Sequence, residues 1–344
     1  MKMSNIIQML YGAKKIIKEC ARVQPGEKVL IITDTEVDSS ISLALAMAAY
    51  YENADPVIIT IIPRRGHGEE PPEPVREAMQ VADVIITPTS KTLFHTKAIR
   101  DAARRGARVL SMTGASPRTL MSGAITADFI KIKPIVNKLA EALTKAETLK
   151  LETPGGTKIE ALIRGRVGNS EPGIAWEKGS MVGVPDIEVN IAPVEDSVEG
   201  IAVIDVTASS FGFVDTPIRI EIRNGKAVKI EGGRAADWLR KVLESANDPN
   251  QYYVAEIGFG LNPNAELRGT IIEDESALGT CHIAFGDNIS LGGENKAPFH
   301  IDLVMKDPIL ELDGIKVIDK DKVLLENVDE LLKKLSDFNV WLDV

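Results

Sequence analysis

Apolar residues in this chain follow two different periods, and the change between them divides it. Residues 4–22 place Ile6, Ile7, Leu10, Ala13, Ile16, Ile17 and Ala21 close to a helical repeat. Pro25-Gly26 stops that pattern, and KVLIITD follows as an unbroken apolar run, as in a strand buried on both faces. Helical and strand-like segments then alternate: SISLALAMAAYYEN with Asp38 or Ser39 as N-cap, PVIITII, PEPVREAMQ, DVIITPT, TKAIRDAARRG and ARVLSMTG. The alternation predicts an α/β domain over residues 1–133, Rossmann-like or flavodoxin-like, with a doubly wound, mostly parallel sheet. PIVNKLAEALTKAETL predicts a linking helix over residues 134–150.

Past residue 150 the period shortens to two. TKIEALIRG, DIEVNIAP, EGIAVIDVTAS, PIRIEIRNGKAVKIEG and ILELDGIKVID read as short strands. Asn224-Gly225 and Asp313-Gly314 are hairpin turn signals, because both central positions of a type I′ turn need positive φ. ADWLRKVLESA and VDELLKKLSDF supply helices. Residues 151–344 are therefore expected to form a β-rich α+β domain that carries the chemistry.

Bulk properties narrow the partners. The chain has 344 residues, 44% hydrophobic and 26% charged, enough for two domains with a core each. A net charge of −10 is the wrong sign for the usual nucleic-acid footprint. No apolar run approaches the ~18 residues of a membrane span, and no signal-peptide pattern opens the chain. Cys20 and Cys281 offer no disulfide framework and suit a reduced compartment. A cytoplasmic protein without nucleic-acid or membrane partners is expected. The loop TDTEVDSS lacks both G-x-G-x-x-G and a Walker A pattern, which argues against a dinucleotide site. His67, in RRGHGEEPPEP, reads as solvated, and His95, in SKTLFHTKA, as a helix-start histidine bonded to nearby backbone.

Candidate chemistry concentrates between Tyr253 and Met305. In FHIDLVM, strand alternation turns His300 and Asp302 to one face and Phe299, Ile301 and Leu303 to the other. Glu188 shares a face with Asn190 in DIEVNIAP; Glu256 lies in VAEIGFG and His282 in TCHIAFGD. Each puts one metal-ligating side chain on an otherwise apolar strand. A buried carboxylate is costly without a cation or a hydrogen-bond network. Three carboxylates and two imidazoles suit zinc, manganese, cobalt or iron.

The order P-D-I-E-V-N-I-A-P, A-E-I-G-F-G, C-H-I-A-F-G and H-I-D resembles the aminopeptidase T/aminopeptidase S family of metallopeptidases. That resemblance implies a homodimeric hydrolase removing N-terminal residues from peptides. Glu188, Glu256, His282, His300 and Asp302 would then hold two divalent ions, zinc, cobalt or manganese. Glu188 and Glu256 would be catalytic, one of them bridging the ions. Glu273, Asp274 and Glu275, in IIEDES, are candidates for the substrate amine or for the general base. The family carries a tyrosine seven residues after its C-H-I-A histidine, whereas this chain has Ile289 there. An alternative follows from dihydroxypyridine ring-cleaving dioxygenases, which resemble the same peptidases. His282, His300 and Asp302 would hold one Fe(II) as a two-histidine, one-carboxylate triad, with Glu188 and Glu256 free of metal. A non-enzymatic α/β binding protein with merely hydrogen-bonded carboxylates is the third reading.

Overall fold

A computed structural model describes residues 3–339 of the chain. It divides into two compact units, residues 1–131 with 171–187, and residues 132–170 with 188–344. Residues 171–187, assigned from sequence to the second domain, thus cluster with the first unit. A short strand, Met181–Gly183, is the reason, because it extends the first unit's sheet.

In the first unit the apolar runs become parallel strands: β1 (Lys28–Asp34), β2 (Asp55–Ile61), β3 (Val84–Thr87) and β4 (Arg108–Ser111). Their order is β2-β1-β3-β4, with Met181–Gly183 beside β4. Helices α1 (Met3–Lys15) and α2 (Ser39–Tyr51) pack on one another, and α2 packs on β1 and β2. Helices α3 (Glu73–Met79) and α4 (Lys97–Arg104) share a core with Leu30, Ile32, Ile85 and Val109. Strand side chains alternate between faces, so the sheet buries both, as the continuous apolar runs require. Asp38 caps α2, accepting from the Ser40 amide at 2.9 Å.

Helix α5 (Phe129–Lys145) begins five residues earlier than its sequence pattern suggests. Pro134 lies inside it and cannot donate to the Ile130 carbonyl. Ile130 is exposed, so water can satisfy that oxygen. Thr148 and Leu149, read as the helix end, instead open a strand (Thr148–Glu152), where the Thr148 amide and hydroxyl both donate to Asp313.

The second unit holds two largely antiparallel sheets, one of eight strands and one of seven. Both hairpin signals form: Asn224 and Gly225, and Asp313 and Gly314, have positive φ. The fold is thus an α/β unit with a mostly parallel sheet plus a β-rich α+β unit. Among the described residues no helix is long and apolar enough to cross a membrane.

Candidate metal centre

Four adjacent strands of the seven-stranded sheet carry all five side chains singled out from sequence. In spatial order they are His300–Lys306, Thr280–Gly286, Val254–Gly260 and Glu188–Ile191. Register then does the assembly. His282 lies opposite Gly258, and Glu188 opposite Gly260. His300 lies opposite Gly286, while Asp302 and Glu256 flank Ala284 from either side. Every candidate ligand therefore faces glycine or alanine, which leaves room above the sheet for side chains to converge.

The small residues were legible by the same alternation but were missed. Glu256, Gly258 and Gly260 share one face of their strand, and His282, Ala284 and Gly286 share one face of theirs. A Cβ built on Gly258 would fall 2.1 Å from Cε1 of His282, so the imidazole rests directly over that bare backbone. A Cβ on Gly260 would fall 2.5 Å from the Glu275 carbonyl. That close approach brings the segment after Ile271–Asp274 down onto the sheet.

The side-chain geometry centres on Glu256. Its Oε1 lies 3.3 Å from Nε2 of His282, and its Oε2 lies 2.9 Å from Nε2 of His300. Asp302 Oδ1 is 3.1 Å from the same His300 nitrogen, and Glu188 Oε2 is 3.8 Å from His282 Nε2. His300 Nδ1 sits 2.7 Å from the Asp287 carbonyl. A carbonyl only accepts, so Nδ1 carries a hydrogen and Nε2 is the atom turned to the carboxylates. Asn190 donates to Glu188 Oε1 at 2.7 Å and accepts from Asn169 at 2.9 Å, fixing that carboxylate. Glu188, Glu256 and His282 are buried, whereas His300 and Asp302 are partly open to solvent.

Charge follows from this arrangement. Burial favours the neutral acid at Glu256, but hydrogen bonds and charge from His282 and His300 outweigh it and hold its pKa at about 2. Burial also works against an imidazolium at His300, yet Asp302 and then Glu256 overcome it and raise the pKa well above 6.5. The cluster therefore retains positive charge between its carboxylates. A divalent cation in place of that proton would meet the same oxygens and Nε2 atoms, so the residues fit a metal ion. One donor atom each from Glu188, Glu256 and His282 lie within 4.8 Å of one another, as do those of Glu256, His300 and Asp302. Glu275, His282 and Asp302 form a third such group.

The acidic run IIEDES divides by role. Glu273 and Asp274 are buried and committed to their own loop. Asp274 accepts from the amides of Arg268 and Gly269 and from the Thr207 hydroxyl; Glu273 pairs with Arg268 at 2.7 Å. Only Glu275 of the three joins the donor groups. In the first unit, His67 Nδ1 accepts from the Thr92 amide at 3.3 Å, and His95 is exposed against Phe94.

Comparison with known proteins decides between the uses such a donor set can have. Residues 9–325 match the family described as NicX, 2,5-dihydroxypyridine 5,6-dioxygenase. The chain belongs to this family. It is 26% identical over 256 residues to the 2,5-dihydroxypyridine 5,6-dioxygenase of Pseudomonas putida strain KT2440, covering 71% of each. The solved structure of 2,5-dihydroxypyridine dioxygenase from P. putida KT2440 superposes with a TM-score of 0.79 at 22% identity, over 93% of this chain and 97% of that one. Wild-type AmpT, aminopeptidase T, from Thermus thermophilus superposes with a TM-score of 0.69 at 16% identity, over 92% and 99%.

Family membership corrects the peptidase reading. The aminopeptidase T likeness is one of fold, and the family match overturns the expectation of a hydrolase and protease. The reason lies in the chemistry: imidazoles and carboxylates on these strands serve either reaction, so motif order alone could not separate them. Ile289 agrees with the correction, being an exposed aliphatic side chain on the short turn Ile289–Leu291 where the peptidases carry a phenol.

Proposed function

We propose that this protein is a ring-cleaving dioxygenase acting on a dihydroxylated pyridine or a similarly electron-rich aromatic. One ferrous ion would be held by His282, His300 and Asp302. The observation that carries this reading is the convergence of two imidazole Nε2 atoms and flanking carboxylates on adjacent strands, in a chain of the dihydroxypyridine dioxygenase family. A two-histidine, one-carboxylate set leaves positions open for small ligands, as non-haem iron oxygenases require. Iron bound there supplies the electron exchange that lets triplet dioxygen react with a closed-shell ring.

The protein's own groups prepare that chemistry. The Asp287 carbonyl holds the His300 ring in one tautomer and orientation. Glu256, with its depressed pKa, is ionised at neutral pH and a poor base, so it acts by hydrogen bonding and charge. Asn190 keeps Glu188 aimed at the cluster from the buried side. His300 and Asp302 occupy the more open side, where a ring must enter. Glu275, beside His282 and Asp302, is the carboxylate we assign to the substrate's hydroxyl or ring nitrogen. In the 5,6-dioxygenase reaction both atoms of dioxygen enter the substrate and the bond between ring carbons 5 and 6 breaks.

The test is iron content together with oxygen uptake. Protein loaded anaerobically with ferrous iron should bind one ion per chain and consume one dioxygen for each 2,5-dihydroxypyridine opened. His282→Ala should bind no iron and consume no oxygen. An absence of uptake across dihydroxypyridines and catechols would overturn the reading.

A further inference from the structure

Thr207, Ser276 and Thr280 border the metal centre, and each spends its hydroxyl within the protein. Thr207 donates to Asp274, Thr280 to the Ala277 carbonyl at 2.7 Å, and Ser276 to the Ile272 carbonyl at 3.4 Å. Ser209 differs from them. It is half-buried, and among the described residues its hydroxyl has no hydrogen-bond partner.

Its place follows from strand register. The short strand Thr207–Ala208 pairs antiparallel with His300–Lys306, on the side away from Thr280–Gly286. Thr207 lies opposite Val304 and Ala208 opposite Leu303. Opposed residues share a face, so Thr207 stands on the face of His300 and Asp302. Its bond to Asp274, the neighbour of Glu275, agrees with that placement. Ala208 is extended, with φ −115° and ψ 133°, so the next side chain returns to the same face. Carried on by one residue, the register sets Ser209 beside Asp302. The turn Ser209–Phe211 packs against the His300–Lys306 strand. Gly212, at φ +92°, reverses the chain and brings Phe213 opposite Thr207. Phe211 meets Trp238 with ring centroids 5.7 Å apart, which anchors the turn.

Both flanks of the open ligands therefore carry a polar group. The His300 and Asp302 side chains are 27% and 19% exposed against 1% for His282, so a ring reaches the cluster over the first two. Glu275 groups with His282 and Asp302, and Ser209 lies across Asp302 from His282. A hydroxyl suits a site already rich in carboxylates, because it donates to a ring oxygen without adding negative charge. Adjacent strands are ~4.8 Å apart, close to the separation of oxygens on opposite carbons of a six-membered ring. With carbon 5 of the ring at the metal ligands, the oxygen on carbon 2 falls one strand spacing away. We infer that Ser209 is a specificity residue, donating its hydroxyl hydrogen to the oxygen on carbon 2 of a 2,5-dihydroxypyridine. This assignment rests on the dioxygenase reading above.

Anaerobic titration of the iron-loaded full chain tests it, because without dioxygen the ring binds and is not opened. The wild type should bind 2,5-dihydroxypyridine about tenfold or more tightly than 3-hydroxypyridine, which lacks the oxygen on carbon 2. Ser209→Ala should still bind one ferrous ion per chain. It should weaken 2,5-dihydroxypyridine about tenfold and leave 3-hydroxypyridine unchanged, whereas a general loosening of the turn would weaken both. A wild type without the preference overturns the assignment, and so does a variant that keeps it, weakens both rings equally or loses iron. When the wild type binds and opens 2,5-dihydroxypyridine and the variant matches it, Ser209 alone is removed and the dioxygenase reading stands. A wild type that neither binds nor opens either ring overturns both.

Discussion

His300 uses its two nitrogens for different purposes, and that division decides how the centre titrates. Nδ1–H is spent on the Asp287 carbonyl, so any proton or metal shared with Glu256 and Asp302 must sit at Nε2. Because His300 is raised, its stabilising charge is fully present below its unfolded value of 6.5 and is lost as pH rises through the raised value. Glu256 behaves oppositely, contributing above 4.5 and losing that contribution as pH falls toward about 2. This pair therefore makes the metal-free protein most stable between about 4.5 and 6.5. In the proposed function iron would displace the Nε2 proton, so its apparent affinity should climb with pH until the raised His300 value is passed. Calorimetry in two buffers of different ionisation heat, at neutral pH, should show net proton release; none would mean His300 is already neutral. Gly258 gives a second expectation at this scale. Alanine normally gains ~0.5–1 kcal/mol over glycine within a strand. Here its Cβ would meet the His282 ring at 2.1 Å. Gly258→Ala should instead cost ~1–3 kcal/mol through overpacking and weaken iron binding by about tenfold or more. Chelator competition measures the affinity, and an unchanged value would show that the imidazole does not need that space.

Between strands, the loop that joins His282 to His300 depends on one buried amide. Gln251 donates to the Phe285 and Phe299 carbonyls at 3.2 and 3.0 Å and accepts from the Phe299 amide at 3.2 Å. It clips together the end of one site strand and the start of the next, immediately before His300. Gln251→Ala leaves these buried groups without their side-chain partner, a loss of ~2–3 kcal/mol, with a lower urea midpoint at an unchanged slope. A midpoint within experimental scatter of wild type would mean the loop is held by other contacts. Gln251 had no signal in the sequence, since a glutamine on a short turn, Pro249–Tyr252, looks like surface. Other elements were plain for opposite reasons. The turn at Asn224-Gly225 is local, with its φ demands written into two adjacent residues. Strands β1, β3 and β4 were plain because burial on both faces leaves an unbroken apolar run. The strand Met181–Gly183 has three residues and borrows its stability from β4, so no local pattern announces it.

At the scale of the molecule, the fold and the strand faces that carry these five side chains could be read from sequence, and the reaction could not. Alternation placed Glu188, Glu256, His282, His300 and Asp302 on strand faces, and the sheet brings those faces together. What alternation cannot express is which reagent meets the cation, because a peptidase-like chain and a dioxygenase-like chain share this architecture. The one residue that spoke to the chemistry was Ile289, through a missing phenol. The three proposed ligands lie on two neighbouring strands, His282 on one and His300 and Asp302 on the next, so the cation should act as a cross-link between those strands. An ion bound only by the folded site stabilises it by ~2.7 kcal/mol at a hundredfold excess over its dissociation constant. For a unit of about 200 residues, that corresponds to a rise of roughly 5–10 °C in melting temperature. Hydrogen exchange should slow most in the strands Thr280–Gly286 and His300–Lys306. Ferrous iron added anaerobically to metal-free protein should produce this shift, and a chelator should reverse it. Glu273→Gln, outside the donor groups, should keep the iron-dependent shift even if its loop lowers the baseline, whereas His300→Ala should abolish it. Equal shifts in both variants would place the ion elsewhere.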